Sequence, residues 1–223
     1  MQHAHWLTTS RADGDFRIDG PSDEVAGRRR ALVDLPWVWL RQVHGAVVHV
    51  VEGPAAATAV AGREGDALVT AAPGVVLAVQ SADCAPLVFR SPEGVVAVAH
   101  AGWRGLLGGV IEATVATMRE LGATDVEGTL GPCIGSECYE FGTDALQPLV
   151  EAYGDRVRVT GPDGGVALDL AAGVVQAAGA VGVTLGGLPP ACTACDPDDR
   201  WFSYRARHDQ GRMATVVWCE VPR

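Results

Sequence analysis

No apolar run in this chain approaches the roughly 18 residues that a membrane span requires. Its first residues, MQHAHWLTTSRADGDF, lack the basic segment and apolar core of a secretory signal. A cytoplasmic location is therefore the default expectation. Basic residues are in the minority, 17 against 27 acidic ones, for a formal net charge of −10. That balance argues against broad nucleic-acid binding and against an anionic membrane surface, both of which need a basic face. It leaves room for a small phosphorylated substrate held by a few arginines. Cysteines number six, and in a cytoplasmic chain they read as thiols, metal ligands or catalytic groups rather than as a disulfide framework. There is no fixed-period repeat, no linker, and no low-complexity segment beyond the alanine-rich loop 55–61. With 48% hydrophobic and 20% charged residues over 223 positions, the chain is expected to form one domain, 1–223, with an ample core.

Short valine-rich runs read as buried strands: 47–51, 65–70, 74–79, and the pair PLVF and GVVAVAH joined by a turn at 91–94. A helix is expected over 105–121, stopped by Gly122, and others over 143–153 and after Asp169, which reads as an N-cap. The polar stretch 1–36 offers one short helix after Ser22 or Asp23, with Arg28, Arg29 and Arg30 on its solvated face and a mobile beginning that holds His3 and His5. The run 201–220 reads as a hairpin-like pair of strands. Strands and helices in this order predict an α+β fold with mixed sheets.

Three residues sit in alike settings. His44 lies in RQVHG just before a strand, Cys84 in SADCAPL between two apolar strands, and His100 at the end of VVAVAH, before GWRG. A lone buried histidine is ordinarily a hydrogen-bonded core residue. Two imidazoles and a thiolate at the ends of rigid elements, however, are donors that suit zinc, with a fourth position left open. The separations of 40 and 16 residues match no compact zinc motif, so residue type and placement carry this reading rather than spacing.

The segments RQVHG, GDALVT, SADCAPLVF, AVAHAGWRG, GPCIGSECYEFG and CTACDPDDRWFSYRARHDQGRMA, in series from about residue 40 onward, together resemble the YfiH-like family. Its members are catalogued as laccase-domain or polyphenol-oxidase proteins and as purine nucleoside phosphorylases. The resemblance implies a layered α/β/β/α sandwich with mixed sheets, and one zinc held by His44, Cys84 and His100. It implies phosphorolysis of adenosine, inosine, guanosine and methylthioadenosine, with adenosine deamination as a further activity and peptidoglycan editing as a separate assignment. Relatives usually have a longer N-terminal region, with a Thr-Arg-Gly-Gly type start and an Asn-Leu segment. Here 1–36 is shortened and divergent, and SYRAR replaces a paired Arg-Arg, so only Arg205 matches directly.

Phosphorolysis needs an anion site. Arg104, at a helix start, is the first candidate, since backbone N–H groups and the dipole there favour anions. Arg41 and Arg205 are the next candidates for substrate binding, because guanidinium matches phosphate bidentately. Each could equally be an ordinary salt bridge. Deamination would use the metal to activate water, with Asp83, Glu140 or Asp66 shuttling protons, although a buried Asp can instead orient a ligand histidine. Cys133, Cys138, Cys192 and Cys195 are available as a four-thiolate zinc set, but family members often carry cysteines here without a second metal, so their role stays open. Trp103 and Phe202 could stack on a purine or pack in the core. His49 and His208 read as structural. An alternative enzyme class is a cysteine hydrolase or peptidoglycan-editing factor with Cys84 as nucleophile. A copper polyphenol oxidase fits worse, because multicopper chemistry needs many more histidines.

Overall fold

The computed structural model describes residues 4–20, 22–187 and 190–220. In chain order the first half comprises β1 (Ala4–Thr8), α1 (Ser22–Leu32), β2 (Trp37–Trp39), β3 (Val48–Val50), α2 (Ala57–Val60), β4 (Ala67–Thr70), β5 (Val76–Ser81), β6 (Ala85–Arg90) and β7 (Val96–Ala101). There follow α3 (Trp103–Leu107), α4 (Val110–Glu120), β8 (Glu127–Leu130), α5 (Thr143–Tyr153), β9 (Arg158–Thr160), β10 (Val166–Leu168), α6 (Leu170–Ala180), β11 (Thr184–Gly186), α7 (Tyr204–Arg207) and β12 (Met213–Cys219).

Two mixed sheets stack face to face. One has the order β1-β12-β5-β2, the other β11-β8-β6-β7-β4-β3, and β9 and β10 form a separate hairpin. The pairs β2–β5, β3–β4 and β8–β11 are parallel, and the remaining neighbours are antiparallel. Side chains alternate across each strand. Ala67, Val69, Leu87, Phe89, Ala97 and Ala99 face the helices, meeting Ile111, Val115, Met118, Leu146, Leu149 and Val174. Their neighbours Leu68, Val88, Val96 and Val98 face the other sheet, against Leu77, Val79 and Val217. The outer face of the smaller sheet, Val76, Ala78, Ala214 and Val216, is covered by Phe16 and Trp37 with Leu32 and Leu35 packed beside them. The result is a layered α/β/β/α sandwich. Strands buried on both faces must be apolar at every position, which is why they read as continuous valine-rich runs.

Three expectations change. The helix expected over 105–121 is two helices, α3 and α4, because Gly109 takes a left-handed φ of 84° and starts α4 anew. The closing segment holds one strand rather than two. Ser203 caps α7 by accepting the Ala206 N–H, and His208 at φ 53° ends it, so 201–212 is a turn region that leads into β12. At the other end, residues 4–8 are an edge strand in register with β12, and His5 stacks on Trp218 with ring centroids 5.4 Å apart. His3 lies outside the described residues. Among the described residues no helix is long and apolar enough to cross a membrane.

Candidate metal centre and active-site cleft

Asp66 organises the centre. It precedes β4 and is fully buried. One carboxylate oxygen accepts the backbone N–H of His44 at 2.9 Å and the Nδ1–H of His100 at 2.9 Å. The other accepts the N–H groups of Gly45 at 2.8 Å and Val43 at 3.2 Å. A bend with His44 at φ 58° is thereby tied to the end of β7. Burial alone would raise the Asp66 carboxyl, but the His100 hydrogen bond and charge, with the N–H groups of Gly45 and Val43, hold it below the usual carboxylate range. Because the carboxylate accepts the Nδ1–H hydrogen bond, Nε2 is the His100 nitrogen turned toward Cys84 and left to serve as a ligand atom.

The donor atoms of His44, Cys84 and His100 lie within 4.8 Å of one another. Gly102 makes the approach possible, since a Cβ there would sit 2.7 Å from His44 Cδ2 and 3.0 Å from Cys84 Sγ. Burial would push the Cys84 thiol up, but His100 and His44 outweigh it and bring it to about 6. His100 is moved the opposite way, to about 9, because the charge of Cys84 and the bond to Asp66 overcome its burial. The two shifts run in opposite directions because each group favours the charged form of the other.

The three donors stand in a cleft of about 680 Å³. Its walls come from Arg17–Asp19, Leu40–Gln42, Gln80–Asp83, Tyr139, Tyr204, Arg205 and Arg212. Gln42 and Gln80 lock two wall segments together. The Gln42 amide donates to the Gln80 carbonyl and accepts the Gln80 N–H, each at 2.7 Å.

The other residues singled out in the sequence divide between this cleft and its surroundings. Arg41 lines the cleft and is ion-paired with Glu64. Arg205 lines it too, with its guanidinium donating to the Glu140 carbonyl at 3.2 Å and lying 5.0 Å from the Tyr139 ring centroid. Arg104 is exposed and stacks on Trp103, 4.3 Å from the ring centroid. It is not among the residues lining the cleft, and α3, in which it is the second residue, is only five residues long. Asp83 adjoins Cys84, but its carboxylate accepts the Thr193 hydroxyl and the Arg205 N–H, each at 2.6 Å. It fastens loops, with one hydrogen bond on each oxygen. Trp103 packs edge-on against Phe141, and Phe202 lies under the Arg11 guanidinium. His49 bonds the Glu64 carbonyl. Sequence reasoning missed Arg17, Gln42, Gln80, Tyr139, Tyr204 and Arg212. The divergent segment 1–36 nevertheless supplies Arg17, Ile18 and Asp19 to the wall.

The arrangement defines a layered α+β protein with a histidine–histidine–cysteine donor set lining a cleft that four arginines also wall, a set that could hold a metal. Comparison with known proteins gives this class a family. The profile of the family described as multi-copper polyphenol oxidoreductase laccase matches residues 12–220, and the chain belongs to that family. It is 38% identical over 204 residues to a protein of Streptomyces griseus named purine nucleoside phosphorylase, covering 90% of this chain and 81% of the relative. Among solved structures it is similar to a Neisseria meningitidis protein assigned to a family of unknown function, with TM-score 0.82 and 30% identity over 98% of this chain and 95% of that one. It also shares its fold with YfiH of Bacillus licheniformis, with TM-score 0.84 and 24% identity over 96% and 92% of the two chains. The resemblance to the YfiH-like family is borne out.

Proposed function

We propose that the cleft cleaves purine nucleosides by phosphorolysis, with zinc held by His44, Cys84 and His100. The observation that carries this reading is the convergence of the three donors in a cleft walled by Arg17, Arg41, Arg205 and Arg212, in a chain whose relatives are named purine nucleoside phosphorylases. The donor set fits zinc. Two nitrogens and one sulfur converge, the His100 tautomer is set by Asp66, and three ligands leave one position open. It fits multicopper chemistry poorly, since the whole chain has six histidines and two of them reach the cleft. When bound, zinc would supply a Lewis acid at that open position.

The chain's own residues do the rest. The basic side chains are all arginines, so phosphate must be gripped by guanidinium, which matches its oxygens bidentately. Arg17 and Arg41 are already paired, with Asp15 and Glu64. Arg212 spends one guanidinium nitrogen on the carbonyls of Asp209, Gln210 and Gly211, whereas the guanidinium of Arg205 has the Glu140 carbonyl and the Tyr139 ring as partners, and it is the phosphate ligand of this reading. The phenol rings of Tyr139 and Tyr204 offer surfaces for the base. A phosphate oxygen would bond to ribose C1 as the C1–N bond to the purine breaks, giving ribose 1-phosphate and the free base. Adenosine, inosine, guanosine and methylthioadenosine are the substrates implied. Deamination is less favoured, because both Asp66 oxygens carry two hydrogen bonds each, Asp83 is tied to Thr193 and Arg205, and Glu140 is exposed and outside the cleft lining.

A second reading has one observation in its favour. Asp66, His100 and Cys84 are also ordered as a carboxylate–histidine–cysteine relay, which would make Cys84 the nucleophile of a hydrolase, such as a peptidoglycan-editing enzyme. It leaves His44 without a role. Metal analysis of the purified protein, followed by inosine turnover with and without phosphate, separates the two. Phosphorolysis predicts bound zinc, loss of activity on chelation, and phosphate-dependent ribose 1-phosphate. Chelator-resistant turnover that releases free ribose would overturn it.

A further inference from the structure

A second cluster of metal-type donors stands apart from the cleft. Glu137 and Cys138 lie on a short helical turn, Ser136–Cys138, after β8, and Cys192 and Cys195 lie on the segment before α7. Their donor atoms, three sulfurs and a carboxylate oxygen, all fall within 4.8 Å of one another. Cys133 is absent from this set. It is buried in the core that backs the six-stranded sheet, and Glu137 takes the place it holds in a reading by sequence spacing.

We propose that Glu137, Cys138, Cys192 and Cys195 form a structural zinc site. Three observations support it independently of the cleft. First, the donor set is closed and soft, with three thiolates and one carboxylate, and four protein ligands with no open position are the mark of structural zinc. A tetrahedral zinc with sulfurs at about 2.3 Å needs them roughly 3.8 Å apart, so the sulfurs have to close by about 1 Å at most. Second, the backbone around the cluster is already held in place. Cys133 and Cys192 form a parallel bridge, the Cys133 N–H donates to the Ala191 carbonyl at 3.2 Å, and the Thr193 N–H donates to the Cys133 carbonyl at 3.0 Å. The Gly135 N–H points at Cys192 Sγ, 3.2 Å away, which stabilises a thiolate there. Third, the Glu137 carboxylate folds back over Gly135, where any Cβ would collide with it, and it meets Cys195 Sγ at 3.3 Å. An exposed glutamate turned toward three thiols is positioned as a ligand.

The site has a structural consequence. The two segments it would join both terminate on Asp83. The Ile134 N–H donates to the Asp83 carbonyl at 2.8 Å, and the Thr193 hydroxyl donates to its carboxylate at 2.6 Å. Asp83 holds a φ of 94°, a strained conformation for a residue with a side chain, directly before Cys84. A zinc that cross-links 137–138 to 192–195 would fix both partners of this strained residue, and so the position of Cys84.

The test counts metal in a protein whose first donor set is disabled. Cys84→Ala, with His44→Ala as a second such variant should the first misfold, is purified from zinc-supplemented cells, dialysed and assayed for zinc by elemental analysis. One zinc per chain is expected, and cadmium exchanged into that site should give a single cadmium-113 resonance in the sulfur-rich range. Adding Cys192→Ser with Cys195→Ser should remove that equivalent, and Glu137→Gln alone should speed its release to a chelator at least tenfold. The proposal is overturned if the Cys84→Ala protein holds no zinc, if its zinc survives loss of Cys192 and Cys195, or if freshly purified protein carries a disulfide among Cys138, Cys192 and Cys195.

Discussion

Replacing Asp66 by Asn changes one atom and tests the logic of the whole centre. The carboxylate serves four donors, two per oxygen: His44 N and His100 Nδ1 on one, Val43 N and Gly45 N on the other. Whichever oxygen becomes an amide NH2, two N–H groups lose their acceptor and face another donor. Hydrogen bonds to a charged group contribute about 1.5–3 kcal/mol each, so the loss amounts to about 3 kcal/mol or more. At roughly 2–4 °C per kcal/mol for a chain of this size, the melting temperature should fall by about 6 °C or more. Zinc affinity should also fall about 10- to 100-fold, the usual effect of losing the partner that orients a ligand histidine. Calorimetry and competitive zinc titration read the two effects. The acid limb supplies the sign. In the metal-free protein the Asp66 carboxyl is held below its unfolded value, so its contribution is present above about pH 4 and is lost as the pH falls through the folded value. The gap between wild type and variant should therefore narrow below about pH 4. A variant that melts within 2 °C of wild type and binds zinc within twofold would refute the argument that Asp66 holds the centre together.

Cys84→Ala should retain its fold and lose both nucleoside cleavage and the cleft metal, as read by circular dichroism, turnover and metal content. Full activity in that variant would exclude both the zinc and the nucleophile readings. Gly102→Ala places a methyl 2.7 Å from His44 Cδ2, so zinc affinity should drop at least tenfold while the melting temperature, read in parallel, moves by only a few degrees. Arg205→Ala should raise the KM for phosphate by roughly a hundredfold, about the cost of a lost charge-assisted contact. Arg104→Ala, on the exposed Trp103 ring, should change it less than threefold, and steady-state kinetics at varied phosphate distinguishes the two.

Much of the fold could be read from the sequence because the central strands are buried on both faces. The β6–β7 pair and its turn at 91–94 are visible as apolar runs flanking Ser-Pro-Glu-Gly. The helix at Leu170–Ala180 is visible from its cap, since Asp169 accepts the Ala172 N–H. What escaped was either too short or locally ambiguous. Strands of three residues, such as β2, β9 and β11, fall below the length at which a period of two can be counted. Trp201 and Phe202 carry the residue types of a strand, yet Ser203 and His208 enclose a single helical turn.

The site divides along the same physical line. His44, Cys84 and His100 could be proposed as ligands because their residue types stand beside apolar runs, a local property, although the bend that carries His44 lies between β2 and β3 and is held by Asp66. The residues that complete the cleft belong to it through contacts that no local pattern encodes. Asp83 meets Thr193 across 110 positions and Arg205 across 122, and Arg17 reaches the wall from a polar N-terminal stretch. Asp83 illustrates the limit most sharply. By sequence it is a carboxylate beside a metal ligand and so a candidate for proton transfer. In the fold, each of its oxygens already accepts a hydrogen bond at 2.6 Å from a distant segment. The same carboxylate is thus a structural anchor in the fold, and Arg205, whose backbone N–H is one of its partners, is held at the cleft wall by that bond.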